Sequence, residues 1–358
     1  MSTPPVPSIR PDDPLRSGRS LLEGVAAGAV YGVLLRGFIV LQTTAQKHFQ
    51  GDGADPAAFQ RHFRLLRYEM IAGEVMTLAF LVLGSIIIGF LTVRRIERRR
   101  PASIYTWILA PWLAVFCMMT VIALFAWEGA ICVAMALPIT LILSSLGGIT
   151  AGVLGRRVAL TASRTACFAI LPFLLAPAES MLPSPIQTRT VSTEIRIHAS
   201  AATIWQNIER VPAISPSELR PSWAHRIGFP RPVEATLSFE GVGGVRHASF
   251  EHGLLFIETV TVWEPEHRLA FTIRADSAHI PPTTLDEHVT IGGRYFDVLD
   301  GEYSLEPLPN GDTLLHLTSH QRLSTDFNGY AGLWSDAVMQ NLQSSILQVV
   351  QHRCQQTQ

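Results

Sequence analysis

The chain has 358 residues, 48% of them hydrophobic and 16% charged, with a formal net charge of -1 at pH 7. This is more apolar and less charged than an ordinary soluble domain, which places part of the chain in lipid; its basic residues fall in short runs between apolar stretches, a pattern that excludes a phosphate-tracking surface, so no nucleic-acid partner is expected. The four cysteines show no CxxC or Cys/His ligand spacing, so neither a disulfide framework nor a metal site is expected, and no motif requires a cofactor.

Residues 1–20 read as a polar, Pro-rich tail. A helix rises about 1.5 Å per residue, so about 20 apolar residues cross a bilayer core. Five runs approach that length: 21–42, 70–93, 105–127, 130–154 and a weaker one at 166–181 containing Pro172 and Pro177. They predict an all-α transmembrane bundle over 21–182. The first run contains Glu23 and Arg36 and exceeds a signal-peptide core, so it is expected to be a retained span. Arg10, Arg16, Arg19, the run Arg94 to Arg100, Arg156, Arg157 and Arg164 put eleven positive charges on one side, against Lys47, Arg61, Arg64 and Arg67 on the other. The N-terminus is therefore expected in the cytoplasm, and the C-terminal half outside it if the fifth run crosses. An interfacial helix within 57–68 follows from Phe59, Phe63 and Leu66 at helical spacing.

Within the first span Gly24, Gly28 and Gly32 recur every four residues, and Gly148 and Gly152 repeat the pattern in the fourth. Such faces let a second helix approach closely, whether from this chain or from a second copy in a homo-oligomer. Arg36 extends the first glycine face by one turn. A charge at that depth requires a partner, and Glu74 near the start of the second run is the expected one, as an intramembrane ion pair.

After a linker at 183–189 the periodicity changes to alternation. Val191, Thr193, Ile195 and Ile197 share one face, as in a strand buried on one side. Ser200 is an N-cap for a helix with Ile204, Ile208 and Val211 on its apolar stripe. Strands are expected at 233–239, 245–250, 254–263, 269–273, 295–308 and 313–323, with turns at Gly241 to Gly244, Glu251-His252-Gly253 and Pro309-Asn310-Gly311-Asp312. An amphipathic helix over 328–352 closes the chain.

The stretches TVSTEIRIHASAATIWQNIERV, GVGGVRHASFEHGLLFIETVTVWEPEHRLAFTI and GEYSLEPLPNGDTLLHL resemble the opening strand and helix, the central meander and the late hairpin of the helix-grip (START/polyketide cyclase, SRPBCC) superfamily, over residues 190–353. The resemblance implies an α+β domain whose antiparallel sheet wraps a long C-terminal helix, with a cavity for a lipid, polyketide or other hydrophobic small molecule. On the strand register, Phe256, Glu258, Phe271, Ile273, Tyr303, Tyr330, Trp334 and Val338 are the pocket candidates, with Leu305 and Met339 beside them. Binding in this cavity, next to the bilayer as a partner, is the leading expectation. A cyclase, dehydratase or hydrolase using the same cavity is the alternative, and a transporting or sensing bundle with the soluble domain as its ligand-sensing module is another. Titratable groups near the meander are His247, Glu251, His252, Glu258, Asp297, His316 and His320. His316 and His320 alternate with Leu315 and Leu317, which puts them on the solvent face, and no catalytic grouping is identifiable.

Overall fold

The computed structural model describes residues 14–51, 78–157, 161–179, 184–277 and 289–356. By contact the chain divides into two compact units, Met1–Trp127 with Ala136–Pro183, and Glu128–Met135 with Ser184–Gln358.

The first unit is helical: α1 (Pro14–Gly51), a π-helical segment (Ala79–Gly84) running into α2 (Ser85–Glu97), α3 (Ile104–Leu124), α4 (Ala130–Arg157, whose residues up to Met135 count with the second unit) and α5 (Ala162–Glu179). Four of these, Gly18–Leu41, Ala79–Glu97, Ile104–Leu124 and Ala130–Arg157, are long and apolar enough to cross a membrane, and Ala162–Leu175 is a shorter apolar helix. The second run extends to Glu97, past its expected end at 93. Glu74 and the 57–68 helix lie outside the described residues. Arg36 is buried, and one Nη donates to the Trp127 carbonyl at 2.9 Å.

The glycines bring backbones together, as their spacing suggested. A Cβ on Gly24 would stand 2.6 Å from the Thr92 carbonyl oxygen, and one on Gly28 2.9 Å from that of Ile88. Gly32 faces Met118 of α3, Gly89 of α2 lies against the backbone of Ser144, and Gly147 against that of Ile86. The α1 glycine face is thus occupied by the chain's own helices. Away from these contacts Leu34 is 64%, Leu113 49% and Ile142 63% exposed, a surface that lipid solvates at no cost and water does not.

One end of this unit is basic. Glu23 accepts from Arg95 at 3.0 Å and Arg99 at 3.2 Å, Arg100 Nε donates to Ser20 Oγ, and Glu97 accepts from Trp107 Nε1 at 2.7 Å. Helix α5 follows α4 from that end. Its last residue, Glu179, accepts from the backbone N–H of Leu78 (2.6 Å) and Ala79 (2.8 Å), satisfying orphan donors where the π-helical segment leading into α2 begins. Tyr31 Oη donating to the Ala169 carbonyl, and the ring contacts Phe90–Phe168 and Phe38–Phe173, hold α5 along the intervening length.

The second unit contains β1 (Gln187–Ile197), α6 (Ala201–Glu209), α7 (Trp223–Arg226), β2 (Pro232–Leu237), β3 (Val245–Phe250), β4 (Leu255–Glu264), β5 (Arg268–Asp276), β6 (Phe296–Pro307), β7 (Thr313–Leu323) and α8 (Asn328–Gln356). Its seven strands form one antiparallel sheet in the order β1-β7-β6-β5-β4-β3-β2. Ser200 caps α6 by accepting from the Thr203 N–H at 3.2 Å. The tight turns use positive φ at Gly311 (90°) and at His252 (61°) followed by Gly253 (81°).

Ile204, Trp205 and Ile208 of α6 and Leu347, Val350 and Cys354 of α8 pack with Val260, Leu269, Phe271, Tyr303, Leu305, Leu315 and Leu317 of the sheet in one core. These strand residues share one face, because cross-strand partners such as Leu269–Tyr303–Leu317 and Leu305–Leu315 point the same way. An antiparallel sheet closed over a long C-terminal helix is the helix-grip arrangement.

Candidate functional site

The site is the sheet face that meets α8. Register places on it Arg246 and Ala248 from β3, Phe256, Glu258 and Val260 from β4, Phe271, Ile273 and Ala275 from β5, and Gly301 and Tyr303 from β6. Arg246 and Glu258 are direct cross-strand partners. Each is 4% exposed, and an Arg246 Nη donates to Glu258 Oε2. The Arg246 guanidinium lies 5.6 Å from the centre of the Phe271 ring, and the Tyr303 side chain neighbours it on the same face. Gly301 is required here: a Cβ would stand 2.7 Å from the Phe271 ring, which crosses the space directly over this residue.

An ion pair out of water needs its remaining donors satisfied. Arg246 Nε is buried with no hydrogen-bond partner in the described structure. Burial pushes the Glu258 carboxyl upward from its usual range, with Arg246 opposing it, and burial pushes the Tyr303 phenol upward as well.

Beyond Glu258 toward the start of β4, the same face is apolar. Leu254, Ile291 and Val298 are buried, whereas Phe250, Phe256, Ile273, Ala275, Phe296 and Met339 of α8 keep part of their surface accessible. Ile131, fully buried, and Met135 from the start of α4 pack into this same cluster. Toward β1 and β7 the interior is instead closed by hydrogen bonds. Gln343 of α8 accepts from Thr193 Oγ1 (2.7 Å) and donates to Ser319 Oγ (2.8 Å) and the Val191 carbonyl (3.2 Å). Asp336 accepts from Arg189 Nε (2.8 Å) and Gln321 Nε2 (2.9 Å).

Of the sequence candidates, Phe256, Glu258, Phe271, Ile273 and Tyr303 come together on this face. Tyr330 is half-buried and Val338 buried along α8, while Trp334 turns toward α7, its ring 6.2 Å from that of Trp223 in an edge contact. His320 pairs with Asp300 at 2.6 Å and His316 lies 3.3 Å from Glu194, both on the opposite, solvent face. His247 and His252 are exposed, Glu251 accepts from the Arg231 N–H, and burial pushes the Asp297 carboxyl upward near Arg322. Among the described residues, no three His, Cys, Asp or Glu side chains are grouped to hold a metal. Arg246 was not among the candidates. A hairpin centred on His252 sets 246 opposite 258 and 248 opposite 256, and that symmetry was readable from the sequence.

Neither a family model nor a curated protein matches the sequence. Solved structures do match about half of it. A START superfamily protein from Mycobacterium smegmatis is 14% identical, with 47% of this chain and 99% of that one covered and a TM-score of 0.32. The Zhui aromatase/cyclase from Streptomyces is 16% identical, covering 48% and 95% at a TM-score of 0.32. Norcoclaurine synthase from Thalictrum flavum, solved with dopamine and hydroxybenzaldehyde, is 12% identical, covering 48% and 90% at 0.32. The helix-grip arrangement lies in this chain's own strand order and its C-terminal helix.

Proposed function

We propose that this protein anchors a helix-grip binding domain to a membrane and that the domain takes an apolar molecule between its sheet and α8. The observation that carries this reading is a partly exposed apolar wall, Phe256, Ile273 and Met339, beside a buried polar group, Arg246, Glu258 and Tyr303. The unpartnered Arg246 Nε is a buried donor that a ligand oxygen would satisfy. Phe256 and Glu258 are two residues apart on β4, about 7 Å along the strand, and Ile273 is the direct cross-strand partner of Glu258, so the wall adjoins the polar group.

The four long apolar helices and their exposed Leu and Ile side chains support membrane anchoring. We extend it to five spans. Helix α5 has 18 residues, which is about 27 Å of rise, and it runs from the basic end to the start of α2 at the other. With the arginine-rich end in the cytoplasm, the chain then leaves the bundle on the outer side, and the helix-grip domain is extracytoplasmic. Ile186 and Leu333 (72% and 67% exposed) and Trp223 are exposed apolar side chains of the helix-grip domain and suit contact with an apolar surface.

Extraction of the purified protein and mass spectrometry tests the binding reading: an apolar molecule should be recovered, and an empty extract contradicts it. A C-terminal reporter active in only one compartment tests the placement.

One observation favours a second reading, catalysis of the cyclase or dehydratase kind. A carboxyl with an upward-shifted pKa beside a phenol is equipped to move a proton. Turnover that disappears in Glu258→Gln while binding persists distinguishes it from binding alone.

A further inference from the structure

From the charge balance of the buried group, we infer that the pocket selects uncharged apolar molecules bearing one oxygen acceptor, and rejects those with an anionic head. This rests on the binding reading above. Arg246 and Glu258 are both 4% exposed and in contact, so their charges cancel inside an apolar surround of Phe256, Phe271 and Ile273. The group therefore presents no net charge to a ligand.

It does present a donor. Arg246 Nε is buried and unpartnered, and the adjacent Tyr303 hydroxyl is 3% exposed as part of its residue. A hydroxyl, ketone or ester oxygen accepts from these groups while leaving the ion pair intact. A sulfonate, phosphate or carboxylate in the same place would put two anions against one cation, and the surplus charge would be buried without compensation. Replacing Glu258 with a neutral residue removes one anion, leaves Arg246 uncompensated, and so should turn the same pocket into an anion site.

The test uses the full chain in phospholipid nanodiscs and three photoreactive probes of one chain length and one diazirine position: an alkyl alcohol, an alkyl sulfonate and the plain alkane. Crosslinks to residues 245–264 and 296–307 are quantified by mass spectrometry. In the wild type the alcohol should label these strands about tenfold or more above the sulfonate, and above the alkane. In Glu258→Gln the alcohol-to-sulfonate ratio should invert. Equal labelling by alcohol and sulfonate in the wild type, or an unchanged ratio in a folded Glu258→Gln, overturns charge selection and leaves the binding reading standing. Absence of labelling by all three probes overturns the binding reading itself. Should Glu258→Gln fail to fold, the Arg246→Met/Glu258→Met double variant decides. Its alcohol-to-alkane ratio should fall toward one, because the guanidinium donor is gone and only the Tyr303 hydroxyl remains, and a ratio equal to that of the wild type overturns the inference.

Discussion

Removing Arg246 alone is the most informative perturbation of the candidate site. In Arg246→Met the Glu258 carboxylate stays 4% exposed without its counter-charge, and breaking a buried pair in this way costs about 3–5 kcal/mol. The cost has a predictable pH dependence. Burial already raises the Glu258 pKa, and loss of the guanidinium removes the effect that opposes it. In the variant the folded-state pKa therefore lies further above the unfolded one. A group raised in this sense stabilises fully below its unfolded pKa and loses that contribution as pH rises through the folded value. The deficit relative to the wild type should thus be largest at neutral pH and shrink toward pH 4, by about 1.4 kcal/mol per unit while Glu258 titrates in the variant. Hydrogen exchange of β3 and β4 peptides in the full chain, corrected for intrinsic rates at each pH, reads the local opening free energy. A deficit below about 1 kcal/mol, or one independent of pH, would show a solvent-screened pair and refute the reasoning. Arg246→Met combined with Glu258→Leu should return these strands to within about 1 kcal/mol of the wild type or better.

Three further outcomes follow from the packing. Gly89→Leu drives a side chain into the Ser144 backbone and should abolish the folded detergent-solubilised protein, as seen by gel filtration and helical circular dichroism. Gln343→Leu strands the buried partners Thr193, Ser319 and the Val191 carbonyl, at about 1–3 kcal/mol each before relaxation, and should lower the thermal midpoint of the helix-grip domain by several degrees. Glu218 accepts from Arg353 Nε at 2.6 Å and from the Ser215 N–H, and these bonds hold its pKa down at about 2. A depressed carboxylate stabilises above its unfolded pKa near 4.5 and loses that contribution as pH falls to about 2, so acid titration of the wild type should show a loss in that window that Glu218→Gln lacks.

Local rules carried much of the fold. Alternation in 191–197 and 313–323, the Ser200 cap and the Pro309 to Asp312 turn each depend on neighbours in sequence, and all appear where expected. Boundaries moved where pairing extends a strand beyond its patterned part: β1 begins at Gln187 because Gln187 pairs with Leu323. On the candidate site, alternation found Phe256, Glu258, Phe271, Ile273 and Tyr303 because strand faces have a period of two. It missed Arg246 because a charged residue next to a Gly-rich turn reads as solvated, and only the hairpin register turns it inward against Glu258. Trp334 was assigned inward by helical spacing, but spacing does not fix the rotation of α8, and the ring meets Trp223. The extent of α5 was hidden by Pro172 and Pro177, whereas Glu179 binding the start of α2 is a tertiary contact with no sequence signature.

The central claim is that an apolar molecule occupies the gap between sheet and α8. Native mass spectrometry of the full chain, wild type against Ile273→Trp, tests it most directly, since an indole at 273 would fill the accessible wall beside Glu258. The account predicts a mass increment of one bound small molecule on the wild type and its loss in a folded Ile273→Trp. An unmodified mass for the wild type, or equal occupancy in both proteins, would contradict it.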